Sequence, residues 1–119
     1  MTNFTGTSGA DIAIAGIGAL SGFTGGTVAQ LQDSLGDQFF AGGGNDIITV
    51  TNAASNRLVG GDGADTMRGG SGGDTFNFNL GEVDAGELID GRGGTDDLLV
   101  QATIDGTIDF SVAEVASIE

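Results

Sequence analysis

The chain has 119 residues, a net charge of −14, and no cysteine, histidine, lysine, tyrosine, tryptophan or proline. Disulfides, thiolate or imidazole metal sites, a histidine-based triad and a Schiff-base lysine are therefore excluded within it. Thirteen Asp and four Glu against three Arg destabilise a compact state unless cations neutralise them, and the same field disfavours nucleic acid and anionic membranes as partners.

A hydrophobic fraction of 39% is too high for a disordered acidic tail. The length suits one domain or part of one array. No apolar run is long enough to span a membrane. The start, MTNFTGTSGAD, lacks the basic and apolar regions of a secretory leader.

Residues 1–31 are the least regular. Gly6 to Asp11 (GTSGAD) has the spacing of a glycine turn ending in Asp, which makes Asp11 a candidate ligand. The next stretch, IAIAGIGALSGFTGGTVAQL, has short β-compatible runs broken by Gly. It is expected to be an irregular first coil or a cap, with helix disfavoured by the glycine density.

From Gln32 a nine-residue period takes hold. Asp37 occupies the sixth position of the first unit and Phe39 the eighth; AGGGNDIIT (41–49) places Asp46 and Ile48 likewise. After a one-residue slip, TNAASNRLV (51–59) places Asn56 and Leu58 with no glycine in its turn. Then come the two most regular units, GGDGADTMR and GGSGGDTFN (60–77), with Asp65 and Met67, then Asp74 and Phe76. An insertion, FNLGEVDA (78–85), interrupts the period, which resumes with Glu87 and Ile89 and with Asp96 and Leu98. Over residues 99–119 the glycines thin out, and this stretch is expected to extend or close the β-structure as longer strands joined by a turn at Asp105-Gly106.

The spacing has a physical logic. A nine-residue unit cannot bury its one apolar residue alone. Two units make one coil with a strand on each of two facing parallel sheets, and stacked coils bury the eighth positions between them. At roughly 1.5–3 kcal/mol per large side chain, so narrow a core does not comfortably offset the entropy of ordering many glycines. The turns must contribute. Glycines at 42, 44, 61, 63, 70 and 72 permit φ > 0, which lets backbone carbonyls converge, and each turn ends in a carboxylate. Stacked carboxylates repel unless a hard cation lies between them, and calcium accepts six to eight carboxylate and carbonyl oxygens in tolerant geometry.

Units n and n+2 stack. One edge then carries Asp46, Asp65 and Glu87, and the other Asp37, Asn56, Asp74 and Asp96. The Asn56–Asp74 site is expected to be weaker than Asp46–Asp65, and Asp37–Asn56 weaker still. Asp62, Asp97, Asp105 and Asp109 read as solvated residues, and Arg57, Arg68 and Arg92 as local charge compensation. Periodic carboxylates without a unique constellation argue against glycan-cleaving acid/base chemistry, and no EF-hand loop occurs.

At these residues the chain resembles the repeat-in-toxin (RTX), or haemolysin-type calcium-binding, family. The likeness is strongest over 32–98, and the run GGTDDLLV…IDFSVAEVASIE is similar to the ends of such arrays. The resemblance implies an all-β, right-handed parallel β-roll with several Ca2+ ions in its turns. It also implies folding triggered by extracellular calcium, and type I export without an N-terminal signal. The expected protein is a non-enzymatic calcium-binding module with an N-terminal coil or cap (1–31), repeats (32–98) and a C-terminal extension (99–119). Alternatives are an adhesive or surface-layer module contacting glycan, ice or a second copy end to end, and an accessory domain of a secreted protease, lipase or polysaccharide epimerase.

Overall fold

A computed structural model describes residues 2–79, 86–101 and 114–116. The Asp105-Gly106 turn, Asp105 and Asp109, and most of the 78–85 insertion lie outside the described residues.

Apart from β3, which follows β2 in the same sheet, strands alternate between two sheets along the chain. The first sheet contains β1 (Thr2–Thr5), β4 (Asp37–Gly43), β6 (Arg57–Asp62), β8 (Thr75–Asn79) and β10 (Asp97–Gln101), in that order. All its pairings are parallel. The second runs β11 (Glu114–Ala116), β9 (Leu88–Asp90), β7 (Thr66–Arg68), β5 (Ile47–Thr49), β2 (Ile12–Ile14), again parallel, with β3 (Ala19–Ser21) antiparallel at its end. The protein is thus all-β with two parallel-rich sheets, and no described helix is long and apolar enough to cross a membrane.

Side chains alternate across each strand, so the middle residue of each three-residue repeat strand faces the opposite sheet. Phe4, Phe39, Leu58 and Phe76 stack in register along the first sheet, and Ala13, Ile48, Met67 and Ile89 along the second. All eight are fully buried, while Leu98 is only partly buried. The rings of Phe4 and Phe39 lie 5.0 Å apart and nearly parallel, and Phe23 meets Phe39 edge-on at 6.2 Å.

Residues 2–14 already supply the first strand of each sheet. Residues 15–31 then fold back over that end. β3 covers the edge of β2, and Thr24 exchanges backbone hydrogen bonds of 2.8 and 2.9 Å with Thr5 of β1. Exposed strand edges invite unwanted pairing, and these two are covered. The glycine-rich stretch does contain helix: a 3-10 turn at Ala15–Ile17 and a single α turn, α1 (Val28–Leu31). α1 begins just past the last glycine of the stretch and has a reciprocal capping box between Thr27 and Gln30. Its Leu31 is buried in the core, and Gln32 Nε2 ties it to Ala15 O at 2.9 Å. At the insertion, β8 continues through Phe78 and Asn79, which pair with Val100 and Gln101 of β10.

Candidate metal-binding turns

Because the chain changes sheet at every turn except that between β2 and β3, the repeat turns fall on two edges. Those leaving the first sheet carry Asp11, Asp46, Asp65 and Glu87. Those leaving the second carry Asn56, Asp74 and Asp96, with Asp37 stacked below Asn56 at the end of the N-terminal fold-back. All eight side chains are at most 2% exposed.

Each edge is a ladder. The backbone N–H of one sixth-position residue donates to the side chain of the next in the stack. On the first edge Asp11 donates to Asp46 (2.7 Å), Asp46 to Asp65 (2.8 Å) and Asp65 to Glu87 (3.4 Å). On the second Thr2 donates to Asp37 (3.2 Å), Asp37 to Asn56 (2.9 Å), Asn56 to Asp74 (2.9 Å) and Asp74 to Asp96 (2.8 Å). Asp65 and Asp74, neighbours in the most regular sequence, lie on opposite edges.

The second oxygens differ. Oδ2 of Asp37, Asp46 and Asp96 is buried and receives no hydrogen bond. Oδ2 of Asp74 accepts the Gly70 N–H at 2.8 Å. Both oxygens of Asp11 are bonded by Thr7, through its N–H and its hydroxyl. Burial pushes the carboxyls of Asp37, Asp46 and Asp74 up from the ordinary value, and the backbone and side-chain donors oppose this only in part. A buried ionised carboxylate with a bare oxygen is costly unless a counter-charge reaches it.

The glycines fall into two kinds. Gly42, Gly44, Gly61 and Gly63 all have φ between 93° and 115°, so the first-edge turns 41–46 and 60–65 use the left-handed region, as does Gly94 on the second edge. They also stack tightly: a Cβ on Gly61 would lie 2.0 Å from Gly42 O, and one on Gly63 2.0 Å from Gly44 O. Gly70 and Gly72 have no positive φ, and neither does any residue of 51–56. Their glycine requirement is close approach alone, since a Cβ would sit 2.1 Å from Asn52 O and 2.3 Å from Ala54 O respectively.

Among the described residues no three acidic side chains gather at one point. A cation here must take backbone carbonyls along with carboxylates, which selects a hard, oxygen-seeking ion of flexible coordination over a zinc-like one. The bare buried Oδ2 of Asp46, in a glycine turn stacked on another, fits calcium. In the 51–56 turn Asn56 presents a neutral amide oxygen where the other turns present a carboxylate, and that oxygen accepts the Asp37 N–H at 2.9 Å. Sequence reasoning does not single out Asn52, which turns out to bond Asn56. Its signal is an Asn-x-x-x-Asn spacing in a turn without glycine.

The family model of the RTX calcium-binding nonapeptide repeat matches this chain in four copies, over residues 34–49 and 50–82. Residues 34–82 thus match haemolysin-type RTX repeats, a family of repeats that bind Ca2+ ions and are typically structural rather than catalytic. Searches of curated proteins and of solved structures give no significant match.

Proposed function

We propose that this chain is a calcium-folded module of a secreted protein, with the architecture of a right-handed parallel β-roll. In this reading 1–31 is the N-terminal coil and cap, 32–98 the calcium-binding repeats and 99–119 the C-terminal extension. The ligands on the first edge are the carboxylates of Asp46, Asp65 and Glu87 with carbonyls of the turns at Gly42, Gly44, Gly61 and Gly63. Asp37 and Asp96 contribute on the second edge. The observation that carries this is the Oδ2 of Asp46, buried without a donor inside a left-handed glycine turn. Bound calcium supplies the counter-charge such oxygens need, so binding free energy becomes folding free energy. A chain of net charge −14 would then stay open where calcium is scarce and close outside the cell, in keeping with type I export of an unfolded chain.

Circular dichroism with calcium and then with excess chelator tests the coupling. The β signal should appear with calcium and decline reversibly with chelator. A signal indifferent to both refutes it.

A further inference from the structure

The turn at 51–56, TNAASN, has lost the glycines and the acid of its neighbours, yet its polar groups are among the best satisfied on either edge. We propose that Asn52 and Asn56 form a calcium-independent latch. Their side-chain amides do for three stacked turns of the second edge what cations do elsewhere. The contrast with calcium-dependent turns rests on the function proposed above; the latch itself rests on hydrogen bonds within the chain.

The bonds run continuously through the stack. Asn52 Nδ2 reaches down to the carbonyls of the preceding turn, Leu35 O at 2.9 Å and Asp33 O at 3.4 Å. Asn56 Nδ2 lies 2.9 Å from Asn52 Oδ1, 3.1 Å from Ala54 O and 2.9 Å from Oδ1 of Asp74 in the next turn of the stack. Asn56 Oδ1 meanwhile accepts the Asp37 N–H at 2.9 Å. That last bond fixes the amide orientation. Were it reversed, Nδ2 would face an N–H and Oδ1 would face three oxygens. Backbone bonds run alongside: Ser71 N–H donates to Asn52 O at 3.0 Å and Thr75 N–H to Asn56 O at 2.8 Å.

Three oxygens converging on one point, a carbonyl, an amide oxygen and a carboxylate, are the donor set of a hard cation. Here the point holds an NH2 group. Its two protons are shared among those three oxygens, and a cation placed there would meet the protons instead. Asp74 is satisfied as well, with Oδ1 bonded by Asn56 twice and Oδ2 by Gly70. The backbone agrees with this arrangement. A turn without glycine cannot take the left-handed φ of the first edge without strain. Its neighbour 69–74, despite the sequence GGSGGD, likewise has no positive φ, and its Gly70 and Gly72 lie directly on the carbonyls of 51–56.

With calcium removed, the first edge keeps its ladder bonds but leaves Oδ2 of Asp46 buried without a counter-charge, while the second keeps turns 32–37, 51–56 and 69–74 joined by satisfied amides. Residues 33–75 then hold a seed of paired β4, β6 and β8 onto which calcium closes the rest.

Hydrogen exchange on the full chain, resolved by NMR, tests this. In chelator, the amides of Asn56, Ser71 and Thr75 should exchange at least tenfold more slowly than those of Asp46, Thr66 and Leu88; calcium should remove the difference. Asn56→Asp replaces the NH2 by an oxygen facing Asp74, and should abolish the difference in chelator while regaining protection in calcium. Asn52→Ala leaves the charge unchanged and should weaken protection of Asn56 and Ser71 in both conditions. Equal exchange on the two edges in chelator, with protection rising on both when calcium is added, overturns the latch and leaves the calcium module standing. Equal exchange that ignores calcium overturns the module too. An Asn56→Asp chain that keeps the difference in chelator also overturns the latch.

Discussion

The backbone N–H of Asp46 donates to Oδ1 of Asp65 across one step of the stack, 19 residues along the chain, while Oδ2 of Asp46 stays buried without a donor. One carboxylate oxygen at each such step is engaged in joining coils, and the other is directed into the turn. A ligand removed at this step should therefore weaken calcium and coil stacking together.

Asp65→Ala is accordingly expected to raise the calcium concentration for half-folding at least about tenfold, equivalent to about 1.4 kcal/mol. Asp97→Ala is the control. Asp97 sits on the exposed face of β10, pairs with Thr75 and should leave the midpoint unchanged. Calcium titration followed by circular dichroism measures both, and equal shifts would reject the assignment of the ligand edge.

Much of this arrangement was legible in the sequence. The period alone places Phe39, Leu58 and Phe76 in one column and Ile48, Met67 and Ile89 in the other, because only residues of one parity face inward. It also implies that Asp65 stacks on Asp46 and not on Asp74. What the period does not reveal is backbone conformation. GGDGAD and GGSGGD are nearly the same string, yet Gly61 and Gly63 are left-handed and Gly70 and Gly72 are not. The two turns lie on different neighbours, 41–46 and 51–56, and Gly94, on which a Cβ would lie 2.1 Å from Gly72 O, is left-handed again. The fold-back that covers β1 and β2 was hidden for a related reason: its contacts, such as Thr5 with Thr24, are tertiary and leave no repeating pattern.

The two kinds of glycine separate by substitution. Gly61→Ala meets both a left-handed φ of 94° and a carbonyl 2.0 Å from the new Cβ, so calcium-bound stability should fall sharply, by about 2 kcal/mol or more. Gly9→Ala meets neither, its nearest neighbour being Thr7 Oγ1 at 3.8 Å, and should be neutral or stabilising by about 0.4–1 kcal/mol. Urea unfolding in saturating calcium compares them. A tolerated Gly61→Ala would mean that the stacked turns are looser than these distances.

The core offers a test independent of metal. Phe39 is fully buried between the stacked ring of Phe4 and the edge-on ring of Phe23. Phe39→Ala should cost about 3–5 kcal/mol through lost burial and the cavity left behind. It should also loosen the N-terminal fold-back that Phe23 anchors. Measured in saturating calcium, the loss should persist, since no added cation refills an apolar cavity.

Acid should act on the metal-free chain in the opposite sense to its usual effect on proteins. Burial raises the carboxyls of Asp37, Asp46 and Asp74 above the ordinary 3.8. A group raised in the fold binds its proton more tightly there than in the open chain. Its contribution is thus fully present below 3.8 and is lost as pH rises through the raised native value. In chelator, lowering the pH from about 7 toward about 4 should therefore increase β structure, as protons relieve the repulsion that calcium otherwise relieves. In calcium the sign reverses, because proton and ion compete for the same oxygens and the calcium midpoint should rise as the pH falls. Circular dichroism across this range, with and without calcium, measures both slopes. A metal-free chain that loses structure on mild acidification would show that these three carboxyls are not held in the raised state.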